Sequence, residues 1–331
     1  MSISLGVVMD PIESITPYKD TTLAMLLAAQ KRGWALHCIE QKDIYLHQGK
    51  AYATQRKVQV FDDNHKWFEA DEKRDLPLSE HQIILMRKDP PFDMDYIYTT
   101  YLLELASKEG VYVSNRPDSL RNVNEKLSTT NFAHLCPPTL VTTSASRLKD
   151  FIVQHRDAIV KPLDGMGGAG VFRLKPDDPN INIILEQVTA QDSVQIMAQR
   201  YVPEIKHGDK RVLVINGEAV PFALARIPSQ GETRGNLAAG GRGVPMPITD
   251  TERRIVDAVS PFLVERELLF VGLDIIGSYL TEINVTSPTC VREIDAYISE
   301  LPESEAQGYG GGISGHYLDT LENMADTMLD A

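Results

Sequence analysis

The sequence predicts an α/β protein, α+β lobes behind an N-terminal parallel α/β domain, and three stretches predict it. Residues 4–9 (SLGVVM) read as a buried strand, a helix runs from Asp20 to Gly33, and residues 34–39 (WALHCI) return as a strand. Such a strand–helix–strand unit begins a parallel sheet. Farther on, Asn216-Gly217 separates two apolar runs, 210–215 and 218–226, the strongest short hairpin signal. Near the C-terminal end, Phe270 to Pro288 (FVGLDIIGSYLTEINVTSP) reads as two more apolar strands meeting at Gly277-Ser278.

Taken in order, the first helix has Asp20 as N-cap, an apolar set at Leu23, Met25, Leu26, Leu27 and Ala28, and Gly33 as its stop. Residues 44–68 read as short exposed strands around a polar loop. Residues 82–86 (QIILM) form a strand that runs into Arg87-Lys88-Asp89-Pro90-Pro91, and a helix follows over 96–109, ending at Gly110. A strand at 111–113 leads to Asn115-Arg116-Pro117, and the polar stretch Asp118 to Asn124 is expected to cross over into a second lobe. There the pattern gives a helix over 124–134, Pro137-Pro138, a helix over 146–155, strand 158–161, a glycine loop, strand 171–174, helix 181–188 and strand 194–198. The third lobe holds the Asn-Gly hairpin, a Gly-rich segment at 231–243, a helix over 251–266 and the C-terminal hairpin. The expected domains are 1–122, 123–202 and 203–331. A Gly-Tyr-Gly-Gly-Gly run at 308–312 precedes a last helix reaching the end.

Bulk properties narrow the function. With 331 residues, 43% of them hydrophobic, the chain can bury a full core and fill two or three lobes. Its three cysteines, Cys38, Cys136 and Cys290, lack CxxC spacing, which argues for a reducing compartment, the cytoplasm, and against a disulfide framework or a zinc site. No signal peptide and no apolar run long enough to span a membrane is expected. A net charge of −13 disfavours a broad nucleic-acid surface while leaving room for a local basic phosphate pocket.

The C-terminal hairpin carries the chemistry. Asp274, Glu282 and Asn284 interrupt otherwise apolar strands, and an acid there costs several kcal/mol unless something pairs with it. A set of oxygen-only side chains suits a hard cation such as Mg²⁺. Alternation puts Glu282 and Asn284 on one face. A two-residue loop would set Asp274 opposite Thr281, with Glu282 facing away. A three-residue loop, Gly277 to Tyr279, sets Asp274 opposite Glu282, and this longer loop is the expectation. The alternative is an exposed face with three ordinary polar residues.

Residues 161–170 (KPLDGMGGAG) contain G-x-G-x-x-G at Gly165, Gly167 and Gly170, a weak signal alone. The strand-like VFRL that follows argues against the dinucleotide fingerprint, where a helix after Gly170 would favour a nucleotide-dependent oxidoreductase instead, and a Walker A loop needs Lys-Ser/Thr where Val171-Phe172 stands. The unit reads as a strand–loop–strand flap whose glycines let backbone N–H groups approach phosphate; the alternative is a flexible surface turn, against which Lys161 on the preceding strand speaks. On the Asn-Gly hairpin a two-residue turn sets Arg211 opposite Phe222, and Arg226 shares that face. Two guanidinium groups there suit a phosphate or a carboxylate, or are simply solvated. Residues 226–243 (RIPSQGETRGNLAAGGRG) read as a mobile lid between a strand and a helix, carrying Arg234 and Arg242. No histidine pair, nucleophile elbow or zinc set is present.

Taken together, RKDPPFD (87–93), NEKL (124–127), KPLDGMGG (161–168), GDKRVLV (208–214), ARIPSQGETRGNLAAGGRG (225–243), VGLDIIG and TEINVTSPTC (271–290) closely resemble the bacterial glutathione synthetases of the ATP-grasp superfamily. The resemblance covers residues 1 to about 295 in order. It implies an ATP-grasp fold whose lobes clasp ATP, with Lys126, Lys161 and the glycines Gly165, Gly167 and Gly168 on the nucleotide phosphates. It places Gln199, Tyr201 and Val202 beside the adenine, although many ATP-grasp enzymes carry an acid where Gln199 stands, and Asp209 on the ribose. Asp274, Glu282 and Asn284 would hold Mg²⁺, or Mn²⁺ in its place, and Arg211 and Arg226 would face the transferred phosphoryl group and the acyl substrate. The implied reaction joins γ-glutamylcysteine to glycine at the expense of ATP through an acyl phosphate; the alternative is another ATP-grasp carboxylate–amine ligase with a different peptide or amino acid. A homotetramer is also implied.

Overall fold

The computed structural model describes residues 2–329 apart from positions 233, 236, 238 and 239, and builds them around three sheets. The first lobe comprises β1 (Ser4–Met9), α1 (Thr21–Lys31), β2 (Ala35–His47), β3 (Lys50–Val60), β4 (Phe68–Ala70), β5 (Arg74–Pro77), β6 (Ile83–Met86), α2 (Met94–Lys108), β7 (Tyr112–Ser114) and α3 (Pro117–Asn122). Strand order is β4-β3-β2-β1-β6-β7, with β5 also on β3. Strands β2, β1, β6 and β7 run parallel, and β1 is buried at five of its six positions, the pattern of a strand covered on both faces. Asp20 caps α1 as expected, its carboxylate accepting the Leu23 N–H at 2.6 Å. The stretch expected as a polar crossover contains a short helix, α3. Pro117 opens it, where a missing N–H costs nothing.

In the second lobe β8 (Thr139–Thr142), α4 (Ala145–His155), β9 (Ala158–Pro162), β10 (Phe172–Leu174), α5 (Ile181–Val188) and β11 (Ile196–Arg200) form an antiparallel sheet of order β10-β9-β11-β8 with two helices. Leu148, Ile152, Ile181 and Leu185 close its core. The helix expected over 124–134 is a 3-10 helix at Leu127–Leu135, kinked at Phe132. Thr129 and Thr130 there bond back to the carbonyls of Lys126 and Leu127, both at 2.6 Å, local bonds that compete with the regular helical ladder.

The third lobe has β12 (Asp209–Ile215), β13 (Glu218–Ile227), β14 (Arg242–Pro247), α6 (Asp250–Glu265), β15 (Phe270–Ile276) and β16 (Tyr279–Asn284), in the strand order β14-β13-β12-β15-β16. The Asn216-Gly217 turn is present, but an irregularity beyond Val212 shifts the pairing, so Leu224 rather than Phe222 lies opposite Arg211. Pro221, which cannot donate to a ladder, lies in the skipped stretch. The segment expected as a lid between a strand and a helix instead joins two paired strands: Arg226 stands across from Gly243 and Ile227 from Arg242. The excursion is therefore 228–241, and its positions 233, 236, 238 and 239 lie outside the described residues.

Two helices follow, α7 (Val291–Ser299) and α8 (Ile313–Leu329); the last two positions of the chain, to which the tail helix was expected to run, lie outside the described residues. Helix α8 returns to the first lobe. Arg32 at the end of α1 pairs with Asp319 at 2.7 Å and Glu322 at 3.2 Å and donates to the Gly315 carbonyl at 2.7 Å. One apolar core runs from Leu5, Leu23 and Leu26 through Leu213 and Phe222 to Ile294, Tyr317 and Leu321, joining the first lobe to the third.

Candidate active site

Four adjacent strands of the third sheet turn polar side chains to the same face. Register sets Arg226 across from Asp209, Arg211 across from Asp274, and Asp274 across from Glu282, with Gly272 across from Asn284. Residues directly opposite, and those two apart on a strand, share a face. The β15–β16 turn is nevertheless the two-residue Gly277-Ser278 turn, not the expected three-residue loop, because Ile276 pairs with Tyr279. Parity is restored by a bulge: Thr281 is the extra residue between the Ile275–Leu280 and Asp274–Glu282 pairs, and its hydroxyl donates to the Asp274 carbonyl at 3.1 Å.

At the centre lies a buried charge cluster. Arg211 binds Asp274 through two parallel bonds, Nε to Oδ1 at 2.6 Å and Nη2 to Oδ2 at 3.1 Å. Arg226 Nη2 reaches Asp274 Oδ2 at 2.8 Å and Asp209 Oδ2 at 2.5 Å. Burial alone would raise the Asp274 carboxyl, but the two arginines outweigh it and hold the group well below the usual carboxylate range. Asp209, left with a share of one guanidinium, is pushed up to about 7 by burial, with Arg226 opposing and Asp274 and Glu282 adding to the rise. Its Oδ1 is buried without a hydrogen-bond partner. Gly272 makes room for this arrangement, since a Cβ there would lie 2.7 Å from Arg211 Cδ.

The second lobe faces this cluster. Lys126 Nζ donates to the Gly165 carbonyl at 2.5 Å and lies 3.1 Å from Glu282 Oε1. Lys161 Nζ, buried, donates to the Thr281 carbonyl at 3.3 Å; burial holds its ammonium below the usual lysine range, with Glu282 opposing. Gly165, Gly167 and Gly168 lie in the turn between β9 and β10, so a strand follows the glycines as expected of a flap. Gly167 and Gly168 have φ of +60° and +82°, where side chains are rarely tolerated. The Gln199 amide donates to Thr139 Oγ1 at 3.2 Å, so its side chain is engaged within the sheet, and Tyr201 lies under Arg173, 3.6 Å from the ring centre. The site residues expected from the sequence, Val202 among them, all line a single cavity of about 600 Å³. Arg234 lines it too and donates to the Gly168 carbonyl at 3.3 Å, so the 228–241 excursion touches the glycine turn.

The donors suit a divalent cation. The Asn284 amide nitrogen is taken by the Gly272 carbonyl at 3.0 Å, which leaves Oδ1 as its remaining acceptor, and Glu282 is partly exposed to the cavity. Among the described residues, no three His, Cys, Asp or Glu side chains cluster as a ligand set; the oxygens at hand are those of Glu282, Asn284 and Asp274, and both oxygens of Asp274 are already bound by arginine.

Of the cavity residues without an assignment from sequence, three bear on the site. Glu125 sits beside Lys126 in the NEKL run and binds the segment after β16. Arg87 is buried and donates to the Pro288 carbonyl at 2.8 Å. Glu293, at the start of α7, has Oε2 buried without a partner. The RKDPP run was the signal for Arg87; a glutamate beside a lysine, or in the first turn of a helix, is ordinarily solvated and gave none for the others.

Two family profiles match the chain, the second spanning residues of both the second and the third lobe. The profile of the prokaryotic glutathione synthetase N-terminal domain matches residues 3–121, and that of the prokaryotic glutathione synthetase ATP-grasp domain matches residues 125–299. A glutathione synthetase of Pseudomonas aeruginosa is 59% identical over 295 residues, 89% of this chain and 93% of that one. One from Pseudomonas putida is 55% identical over 322 residues, 97% and 98% of the two chains. Among solved structures, the D-cycloserine synthetase DcsG superimposes with a TM-score of 0.63 at 14% identity over 86% of this chain and 92% of its own. D-alanyl-alanine synthetase A from Vibrio cholerae gives 0.57 at 14% identity over 100% of both chains, a likeness of fold.

Proposed function

Since the chain belongs to the prokaryotic glutathione synthetase family and is an ATP-dependent ligase that makes glutathione, we propose that the shared polar face and the glycine turn opposite it are its catalytic centre. The observation that carries this is the meeting of Arg211, Arg226, Asp274, Glu282 and Asn284 with Lys126, Lys161 and the Gly165–Gly168 turn around one cavity.

A carboxylate is a poor acyl donor because oxide is a poor leaving group. In the first step an oxygen of the cysteinyl carboxylate attacks the γ-phosphorus of ATP, the bond to the bridging oxygen breaks, and ADP leaves. In the second the glycine nitrogen attacks the acyl phosphate carbon, phosphate leaves, and the nitrogen gives up a proton. Neither step needs a protein nucleophile, and the protein contributes position and charge. Lys126, Lys161 and the backbone N–H groups of the turn hold the phosphates. Arg211 and Arg226, fixed by Asp274, present positive charge where the phosphoryl group moves. Glu282, Asn284 and Asp274 would hold Mg²⁺, or Mn²⁺ in its place, which offsets phosphate charge when bound. The backbone of Gln199 to Val202 borders the base, and Asp209 the ribose. The 228–241 excursion shields the acyl phosphate from water.

The compartment we propose is the cytoplasm, on the absence of CxxC spacing among Cys38, Cys136 and Cys290 in the sequence. No helix among the described residues is long and apolar enough to cross a membrane. The assembly we propose is a homotetramer, which light scattering tests directly. The central test is ATP turnover with γ-glutamylcysteine and glycine omitted in turn. Turnover should need the dipeptide and should yield glutathione only with both; brisk turnover with glycine alone would overturn the order of steps.

A further inference from the structure

We propose that Glu125 is a positioning residue for ligation: it fixes the segment after the proposed metal strand against the phosphate lysine, and so keeps ATP use coupled to peptide-bond formation. Its Oε1 accepts three hydrogen bonds from that segment, from Val285 N at 2.8 Å, Thr286 N at 3.0 Å and Thr286 Oγ1 at 2.9 Å. Its backbone carbonyl accepts a fourth, from Ile283 N at 2.8 Å.

Residue 125 thus holds the chain at 283, 285 and 286, on either side of Asn284. The same segment follows directly on Glu282, and Thr286 and Ser287 line the cavity beyond it. One residue on, Lys126 contacts both Glu282 and the Gly165 carbonyl. Residues 125 and 126 are a strut between the glycine turn and the wall where the acyl group would sit.

The donors need an acceptor at Oε1, not a full charge. The amide oxygen of glutamine supplies that acceptor as well, for the same three donors. Without the acceptor, two backbone N–H groups lose their partner, and the segment is free to move. An acyl phosphate beside a loosened wall meets water more often, and its hydrolysis consumes ATP without forming a peptide bond.

This inference rests on the catalytic centre proposed above, and its test separates the two. Phosphate released and glutathione formed are measured together for the parent enzyme and for Glu125→Ala, Glu125→Gln, Thr286→Val and Arg226→Ala, at a temperature where circular dichroism shows each to be folded. The expected phosphate-to-glutathione ratio is about one for the parent and Glu125→Gln, and at least about twofold higher for Glu125→Ala, with a smaller rise for Thr286→Val. A purely structural role would lower the folded fraction and leave the ratio alone. A ratio of about one in both Glu125→Ala and Thr286→Val overturns the inference; if Glu125→Ala does not fold, Thr286→Val decides it alone. Full turnover in Arg226→Ala would instead overturn the catalytic centre.

Discussion

Arg211 and Asp274 stand directly across from each other on paired strands, and the guanidinium grips the carboxylate with two bonds of 2.6 and 3.1 Å. The bidentate pair fixes both side chains, and it makes Asp274 a counter-ion as well as a proposed metal ligand. Because both groups are buried, either one alone would be costly, which shapes what each substitution should do.

Glu282→Ala should lower turnover by about 100-fold or more, the scale seen when one charge-stabilising group is removed. Its side chain is 20% exposed, so the melting temperature should move by only a few degrees, about 1 kcal/mol or less. Steady-state kinetics with a thermal melt checks both, and near-normal turnover would count against the metal role.

Arg226→Ala should cut turnover about 100-fold while leaving ATP affinity within about threefold, measured by calorimetric titration. It also strips Asp209 of its ion-pair partner, at a cost of about 3 kcal/mol in urea unfolding. A variant that loses ATP affinity and nothing else would contradict the assigned role.

Gly272→Ala would press a methyl group against Arg211 Cδ. The expected cost is about 1–3 kcal/mol of stability. Turnover should fall about 10- to 100-fold, because Arg211 must shift to accommodate the group. An unaltered kcat would mean that the guanidinium position is not critical.

Asp295 offers a pH test away from the active centre. Burial lifts its carboxyl to about 6, with the Ile313 N–H, which it accepts at 2.8 Å, and Arg292 opposing. The fold therefore keeps a proton that the unfolded chain releases. The stabilisation is complete below the ordinary aspartate value near 3.8 and is lost as pH rises through about 6. Asp295→Asn should remove that loss, so its stability relative to the parent should improve by about 1–2 kcal/mol between about pH 4 and about pH 7, less than full linkage because the site is partly exposed. Urea midpoints that change in parallel would refute it.

Protease cleavage within 229–240 should slow several-fold when ATP and γ-glutamylcysteine are both present. The motive is the bond from Arg234 to the glycine turn, which puts the excursion against the proposed phosphate site. Equal cleavage rates with and without ligands would argue against a shielding role.

Much of this was legible in the residues. Acids inside the apolar strands at 270–284 pointed to a shared polar face, and the VFRL strand after the glycines separated the flap from a dinucleotide loop. Less was legible where one residue changes parity. Thr281 looks like any strand threonine, yet as the bulged residue it brings Asp274 and Glu282 together across a turn one residue shorter than expected. The irregularity around Pro221 displaced the partner of Arg211 in the same way. Strand β14 was hidden by glycines and prolines, which read as loop until a neighbouring strand supplies the ladder. The pairing of Asp274 with both arginines depends on contacts across three strands, which no local window contains.

The return of α8 to the first lobe has a bearing on how the molecule comes apart. Tyr317 Oη and Ser114 Oγ share a hydrogen bond of 2.8 Å, and Leu318 and Leu321 are fully buried in the core that holds Leu5 and Leu26. A fragment ending near residue 300 would thus leave an oily trench along the opening helix, and expressed by itself it should clump. Synthesis must pass through α8 before α1 is covered, which makes a late-made segment the lock on an early one.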